Sequence, residues 1–202
     1  MVMEARIYKA LNNPWLYRLS QRILAPGHIK AIVDQIEKTL REAPSANLLV
    51  DVGCGPISWL HRVGLRPVGV DLSMTFLREF RQLESRAILA SALALPFSSK
   101  SIEGVISVFL FHHMPDYAVS EAMKEFMRVC KSPGYVAILD GVLPRAPWKN
   151  PLATLIRRMD RGKFMRSQEE LESLLPERDD WIVKRFTYSL TGLEGLICLY
   201  VK

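Results

Sequence analysis

Five short, continuously apolar runs between residues 46 and 140 restrict the fold of this chain more than any other feature. They are Leu48–Val52, Val68–Val70, Ala87–Ala90, Val105–Phe111 and Tyr135–Leu139. A strand with one face in water alternates apolar and polar residues, whereas a strand covered on both faces is apolar throughout. Helical spacing fills the gaps between the runs. Ile57–Val63 comes first, then Met74–Leu83 with Phe76, Leu77, Phe80 and Leu83 on one face, then Val119–Val129 with Val119, Ala122, Met123, Phe126 and Met127. Ser73 stands where it can cap the second of these helices. Repeated alternation of strand and helix predicts a parallel sheet joined by right-handed crossovers.

The flanks read differently. Residues 1–43 are predicted helical, with Trp15, Leu16, Leu19, Ile23 and Leu24 in one stretch and Ile29, Ile32, Val33, Ile36 and Leu40 in the next, which Pro44 stops. Beyond residue 140 a basic helical segment runs from about Pro151 to Lys163, and Ser167-Gln168-Glu169-Glu170 then has capping-box spacing ahead of Leu171, Leu174 and Leu175. Trp181–Tyr188 and Leu196–Val201 form a last pair of strands, antiparallel because only a short link through Thr191-Gly192 joins them. With 202 residues and 49% hydrophobic content, one domain is expected over 1–202. Its parts are a helical cap (1–43), a ligand-binding core (46–140), a basic helical insertion (141–180) and a C-terminal strand pair (181–202).

Cys54, Cys130 and Cys198 make no C-x-x-C pair, so neither a disulfide framework nor a zinc site is suggested, and a reducing cytoplasm is the expected location. Glu4, Arg6 and Lys9 interrupt any signal-peptide run, and nothing approaches the ~18 apolar residues of a membrane span.

The chemistry gathers at the first two strands. Leu48-Leu49-Val50-Asp51-Val52 breaks into Gly53-Cys54-Gly55-Pro56, a glycine turn that lets backbone pass close to a ligand. Asp51 at the strand end is costly to leave unpaired and can accept a hydrogen bond from a ligand ammonium. Twenty residues on, Val68-Gly69-Val70-Asp71 puts a second carboxylate where α/β nucleotide sites hold the two ribose hydroxyls. Glycines, acid and frame together read as an adenosine-ligand site.

Asp51-Val52-Gly53-Cys54-Gly55 resembles the first motif of class I S-adenosylmethionine-dependent methyltransferases, and Asp71-Leu72-Ser73 resembles their second-strand acid motif. Ala92-Leu93-Ala94-Leu95-Pro96-Phe97, the stretch Ile106 to Asp116 with His112-His113, and Glu125 to Lys131 are similar to later motifs of the small-molecule branch, which includes ubiquinone/menaquinone-type enzymes. The matches fall in order over roughly residues 46–140. The resemblance implies a Rossmann-like α/β fold, a mostly parallel seven-stranded sheet with helices on both faces and an antiparallel C-terminal pair. It also implies S-adenosylmethionine as cofactor and S-adenosylhomocysteine as product.

The same resemblance implies the cofactor residues. Asp51, Gly53, Cys54 and Gly55 surround the methionine end, Asp71 holds the ribose, Leu72 lies against the adenine, and Ser91, Ala92 and Leu93 line its other side. Phe109 lies near the sulfonium. The chain departs from the family pattern at Ile57 (often a third glycine), at Ser91 (usually an aspartate) and at Ser132-Pro133-Gly134 (usually Pro-Gly-Gly). The Ser91 hydroxyl can still accept the hydrogen bond from the adenine amino group, but a neutral bond is roughly half as strong as a charge-assisted one, which implies weaker cofactor binding.

The expected reaction is methyl transfer to a small-molecule acceptor, apolar or anionic, with nucleic acid the disfavoured partner. A base is required only if the nucleophile keeps its proton at neutral pH. His113, after the fourth strand, is the first candidate and Asp140, at the end of the fifth, the second; His112 points the other way if the chain stays extended. The remaining histidines, His28 and His61, sit elsewhere, so no metal site is expected. Tyr8, Trp15 and Tyr17 are candidate substrate residues on an N-terminal lid. Gly141 to Ser167 holds seven basic residues against one acid, equal to the whole net charge of +6, and makes Arg157 and Arg158 candidates to read an anionic acceptor.

Three rival readings stay open. A tRNA methyltransferase fits the pI of about 9.3, but no [D/N]-P-P-[F/Y] motif or RNA-binding motif is present. A non-catalytic scaffold that binds the cofactor fits Ile57 and Ser91. A nicotinamide dehydrogenase would need its third glycine at Ser58.

Overall fold

Apolar runs of strand length build the sheet as expected, and a computed structural model describes it for residues 27–83, 86–159, 163–176 and 180–202. Helix α1 (His28–Glu42) leads into β1 (Leu49–Val52), a 3-10 helix (Trp59–Val63), β2 (Val68–Asp71), α2 (Met74–Arg81) and β3 (Ala87–Leu89). The chain continues through β4 (Ile102–Val108), a 3-10 helix (Phe111–His113), α3 (Asp116–Val129) and β5 (Cys130–Val142). It ends with α4 (Pro151–Met159), α5 (Gln168–Ser173), β6 (Trp181–Thr187) and β7 (Glu194–Val201). The seven strands lie in the order β3-β2-β1-β4-β5-β7-β6. The first five are parallel, and β7 runs antiparallel to both β5 and β6. The Rossmann-like sheet with its antiparallel C-terminal pair is therefore present, and β7 enters between β5 and β6.

Strand periodicity divides the core into two layers. Val50, Val52, Val105, Val136 and Ile138 face α3, which buries Ala118, Val119, Ala122, Met123, Phe126 and Val129 at helical spacing. Leu49, Ile106, Val108, Ala137 and Leu139 face Ile32 and Ile36 of α1, with Leu60 and the α4 residues Ala153 and Ile156. Each large side chain so buried is worth about 1.5–3 kcal/mol. Ser73 caps α2 through the Phe76 amide, and Ser167 with Glu170 completes a capping box on α5, as their spacing predicts.

Several boundaries move. The expected helix at Ile57–Val63 is a 3-10 helix confined to Trp59–Val63, entered through the Ser58 cap. β4 starts earlier than expected and stops at Val108, because Phe109 takes a left-handed backbone with φ 58 that breaks the extended chain ahead of Phe111. β5 is much longer than Tyr135–Leu139, since β4 and β7 pair with it on both sides. Asp140 therefore sits inside a paired strand, not at its end. Among the described residues, no helix is long and apolar enough to cross a membrane.

Candidate active site

β1 ends in Asp51-Val52, and the loop after it turns at Gly53 and Gly55, both left-handed with φ 74 and 61. At Gly53 a Cβ would stand 2.8 Å from the Leu110 side chain, so the loops after β1 and β4 touch there. At Gly55 a Cβ would meet nothing within 4 Å, which leaves room along the loop for a ligand. Asp51 is 2% exposed. One carboxylate oxygen, Oδ2, accepts a short hydrogen bond from the Ser58 hydroxyl, while the other, Oδ1, is buried without a partner among the described residues. Burial pushes the Asp51 carboxyl up to about 7, against the Ser58 hydrogen bond and with a further push from the Asp71 charge. A cationic donor placed at Oδ1 relieves both the missing bond and the unfavourable charge.

Asp71 closes β2 on the same edge. Its Oδ2 accepts the Gly55 amide at 3.0 Å and its Oδ1 the Ser73 amide at 2.8 Å, which ties the carboxylate to the glycine loop. Burial raises its pKa, opposed by the backbone amides of Ser73, Gly55 and Leu72. Leu72 beside it is 73% exposed, an apolar side chain standing in water next to the acid. Across the β2–β3 edge, the Ser91 hydroxyl accepts the Leu93 amide at 3.1 Å and Ser91 bridges to Ala94. Cys54 is buried beneath the loop with Leu77 and Phe80, and burial drives its thiol far up in pKa, so it contributes packing and backbone.

The other half of the edge is aromatic. The Phe109 ring lies edge-on to Trp59 at 6.1 Å, to Tyr188 at 5.6 Å and to His112 at 6.3 Å between centroids. Asp140 joins this group from β5. Its Oδ1 lies 2.5 Å from His112 Nδ1 and accepts the Gly141 amide at 2.6 Å, and its Oδ2 accepts the His112 amide at 3.0 Å. Burial alone would raise the Asp140 carboxyl, but the His112 charge and hydrogen bond, the Gly141 amide and His113 together hold it below the usual carboxylate value. His113 is exposed, its ring 4.0 Å from that of His112.

The structure thus joins Asp140 to His112, the histidine ranked behind His113 in the sequence. An extended chain would point the two histidines apart, but the 3-10 helix at Phe111–His113 turns His112 inward. Arg157 is 5% exposed and donates through Nη2 to the Tyr188 hydroxyl and the Glu194 carbonyl, each at 2.7 Å. It is an interior residue beside the aromatic group, not a surface charge. Tyr8, Trp15 and Tyr17 lie outside the described residues, as does the Arg158 side chain.

A family profile described as a methyltransferase domain matches residues 50–138, from β1 into β5. The match covers under half of the chain, from Val50 to Ile138.

Two curated relatives share part of the domain. A tRNA (carboxymethyluridine(34)-5-O)-methyltransferase of Arabidopsis thaliana is 29% identical over 49% of this chain and 25% of its own length. A demethylmenaquinone methyltransferase of Roseiflexus castenholzii is 31% identical over 54% of this chain and 48% of its own. The chain thus spans between a quarter and a half of the length of these two proteins.

Solved structures share the fold. An S-adenosylmethionine-dependent methyltransferase from Thermotoga maritima superposes with a TM-score of 0.72 at 15% identity, covering 96% of this chain and 99% of that one. The geranyl diphosphate C-methyltransferase of Streptomyces coelicolor A3(2), solved with Mg2+, geranyl diphosphate and S-adenosyl-L-homocysteine, gives 0.65 at 13% identity over 85% and 77% of the two chains.

At this sheet edge, sequence reasoning missed Ser58, Trp59 and His112 as site residues. Ser58 could be found as a hydroxyl one loop after a buried acid. Trp59 and His112 belong to 3-10 helices, whose side-chain directions follow neither strand nor α-helix periodicity.

Proposed function

We propose that this chain transfers a methyl group from S-adenosylmethionine to a small-molecule acceptor. The observation that carries this reading is the unpartnered, buried Oδ1 of Asp51 beside the open glycine loop. That oxygen suits the ammonium of the cofactor's methionine part, and the backbone of Gly53, Cys54 and Gly55 suits the remainder of that end. Asp71 suits the ribose hydroxyls, exposed Leu72 one face of the adenine, and Ser91, Ala92 and Leu93 the other. Phe109 stands at the transfer end. When bound, the cofactor supplies an activated methyl on a sulfonium. The protein's own part is to orient the acceptor against the aromatic group and keep water away.

A small acceptor is favoured over tRNA by the fate of the basic segment. Arg157 and Arg166, two of its seven cations, are buried and engaged in the interior, so the surface is less basic than the sequence. Relatives that act on tRNA are matched over a quarter of their length or less. Three buried free thiols suit a reducing compartment, and we place the protein in the cytoplasm.

Isothermal titration with S-adenosylhomocysteine should show one site per chain, and transfer of labelled methyl to a panel of small acceptors should give product. No heat of binding at millimolar ligand would refute the reading. A salt-dependent gel shift with tRNA, together with methylated tRNA, would replace the acceptor class.

A further inference from the structure

Helix α4 has two apolar faces. Ala153 and Ile156 turn inward onto the sheet beside buried Arg157. Leu152 and Leu155, three positions apart and so on one side of the helix, stand more than half exposed. Two neighbouring turns extend that outer face. Trp148, 78% exposed, lies in the turn before α4, which the Thr154 hydroxyl holds by donating to the Pro147 carbonyl. Leu190, 87% exposed, lies in the turn between β6 and β7. That turn rests on the start of α4, since a Cβ at Gly192 would stand 3.4 Å from Asn150 and 3.8 Å from Ala153. A single exposed leucine carries no message, but four large apolar side chains on three adjoining segments form a patch.

The charges beside the patch share one sign. Arg145 and Lys149 precede α4 and Lys163 follows it, and all three are exposed. From Gly141 to Ser167 the sequence holds seven cations against Asp160, and among the described residues only Arg157 and Arg166 of those cations are buried. Like charge disfavours a second copy of this chain on the patch. A nucleic acid would engage the cations but leave Leu152, Leu155 and Leu190 in water. An anionic bilayer surface meets both features: headgroups for the cations, the acyl boundary for the leucines, and the level between them for the Trp148 indole. Among the described residues no helix is long and apolar enough to cross a membrane, so this contact is peripheral.

We propose that the outer face of α4, with Trp148 and Leu190, docks this chain on membrane surfaces rich in anionic phospholipid. The proposal stands apart from the methyl-transfer reading, because none of these side chains belongs to the cofactor edge. It also sets an orientation. The inner face of the same helix carries Arg157 to the Tyr188 hydroxyl, and the Tyr188 ring lies 5.6 Å from that of Phe109. A docked bilayer then lies on the helix that borders the aromatic group.

The test uses the full chain and vesicles of phosphatidylcholine, alone or mixed equally with phosphatidylglycerol. In about 0.1 M salt the chain should float with the mixed vesicles and about tenfold less with phosphatidylcholine, and about 0.5 M salt should release it. Its tryptophan emission should move to shorter wavelength on the mixed vesicles, a shift that Trp148→Leu removes while binding persists. Leu152→Gln with Leu155→Gln should lower vesicle affinity about tenfold or more, and Arg145→Ala with Lys149→Ala about 10–30-fold. Both double variants should keep the wild-type Tm and S-adenosylhomocysteine affinity.

No binding to the mixed vesicles at millimolar lipid, wild-type binding by the leucine variant, or an emission shift that survives Trp148→Leu would each overturn the proposal. A dimer in sedimentation that the leucine variant dissolves, without vesicle binding, would overturn it in favour of a second copy. Salt-dependent binding of tRNA that the leucine variant keeps, without vesicle binding, would overturn it in favour of nucleic acid.

Discussion

At the scale of single residues, Asp51 trades stability for binding. Its carboxyl moves from an ordinary 3.8 to about 7 in the ligand-free fold. A group with a raised folded pKa contributes stability that is complete below its unfolded pKa and is lost as pH rises through the folded one. The ligand-free protein should therefore weaken between pH 4 and 7. Asp51→Asn removes that loss and should make the ligand-free chain more stable than wild type at pH 8, by on the order of 4 kcal/mol, with the difference gone near pH 4. Binding runs the other way. Affinity for S-adenosylhomocysteine should rise about tenfold per pH unit below 7 and flatten above it, as the carboxyl ionises to meet an ammonium. Asp51→Asn should abolish that slope. Thermal melts and titrations at pH 5, 6, 7 and 8 measure both effects, and a variant with the wild-type pH profile would show that Asp51 does not face the ligand.

Among the elements, the 3-10 helix that carries His112 is held from outside. Arg166 is 6% exposed and donates to the carbonyls of Phe111, Met114 and Phe164 and to the Asp116 carboxylate. One guanidinium thus closes the start of α3 against the 3-10 helix, a planar multi-donor task that lysine cannot perform. Arg166→Met leaves the buried Phe111 carbonyl and the part-buried Met114 and Phe164 carbonyls without this donor, while Asp116 stays exposed, and should cost about 1–3 kcal/mol in urea unfolding. Faster hydrogen exchange at the His113 and Met114 amides, which bond to Leu110 and Phe111, should accompany it. S-adenosylhomocysteine affinity should change less than tenfold, because Asp51 and Asp71 stand on β1 and β2. A loss below 1 kcal/mol would assign Arg166 to the surface charge that its sequence context suggests.

For the whole molecule, ligand and fold are linked by mass action. At a concentration 100 times its Kd, a ligand that binds only the folded state adds about 2.7 kcal/mol. For a domain of this size that raises Tm by about 5–10 °C. S-adenosylhomocysteine at that concentration should do so in wild type and raise Tm much less in Asp51→Asn at pH 8, where its affinity is weakened; scanning fluorimetry reads both. Charge is another whole-molecule property that folding redistributes. The net +6 and the run of cations from Gly141 to Ser167 suggest a basic face, but Arg157 and Arg166 are spent inside.

By itself the sequence determined the layered parallel sheet, both capped helices, and the pairing of Asp51 with Asp71 around a glycine loop. These follow from local causes: apolar period, cap chemistry, and glycine after a buried strand. Only the tertiary structure decided which histidine meets Asp140. Strand β5 carries that carboxylate on the α3 side of the sheet, and a backbone break at Phe109 sends the next residues into a tight turn that brings His112 under it. Neither event leaves a periodic trace in the chain, because each depends on contacts between residues that the sequence sets 28 positions apart. Such contacts exist only once the sheet has formed.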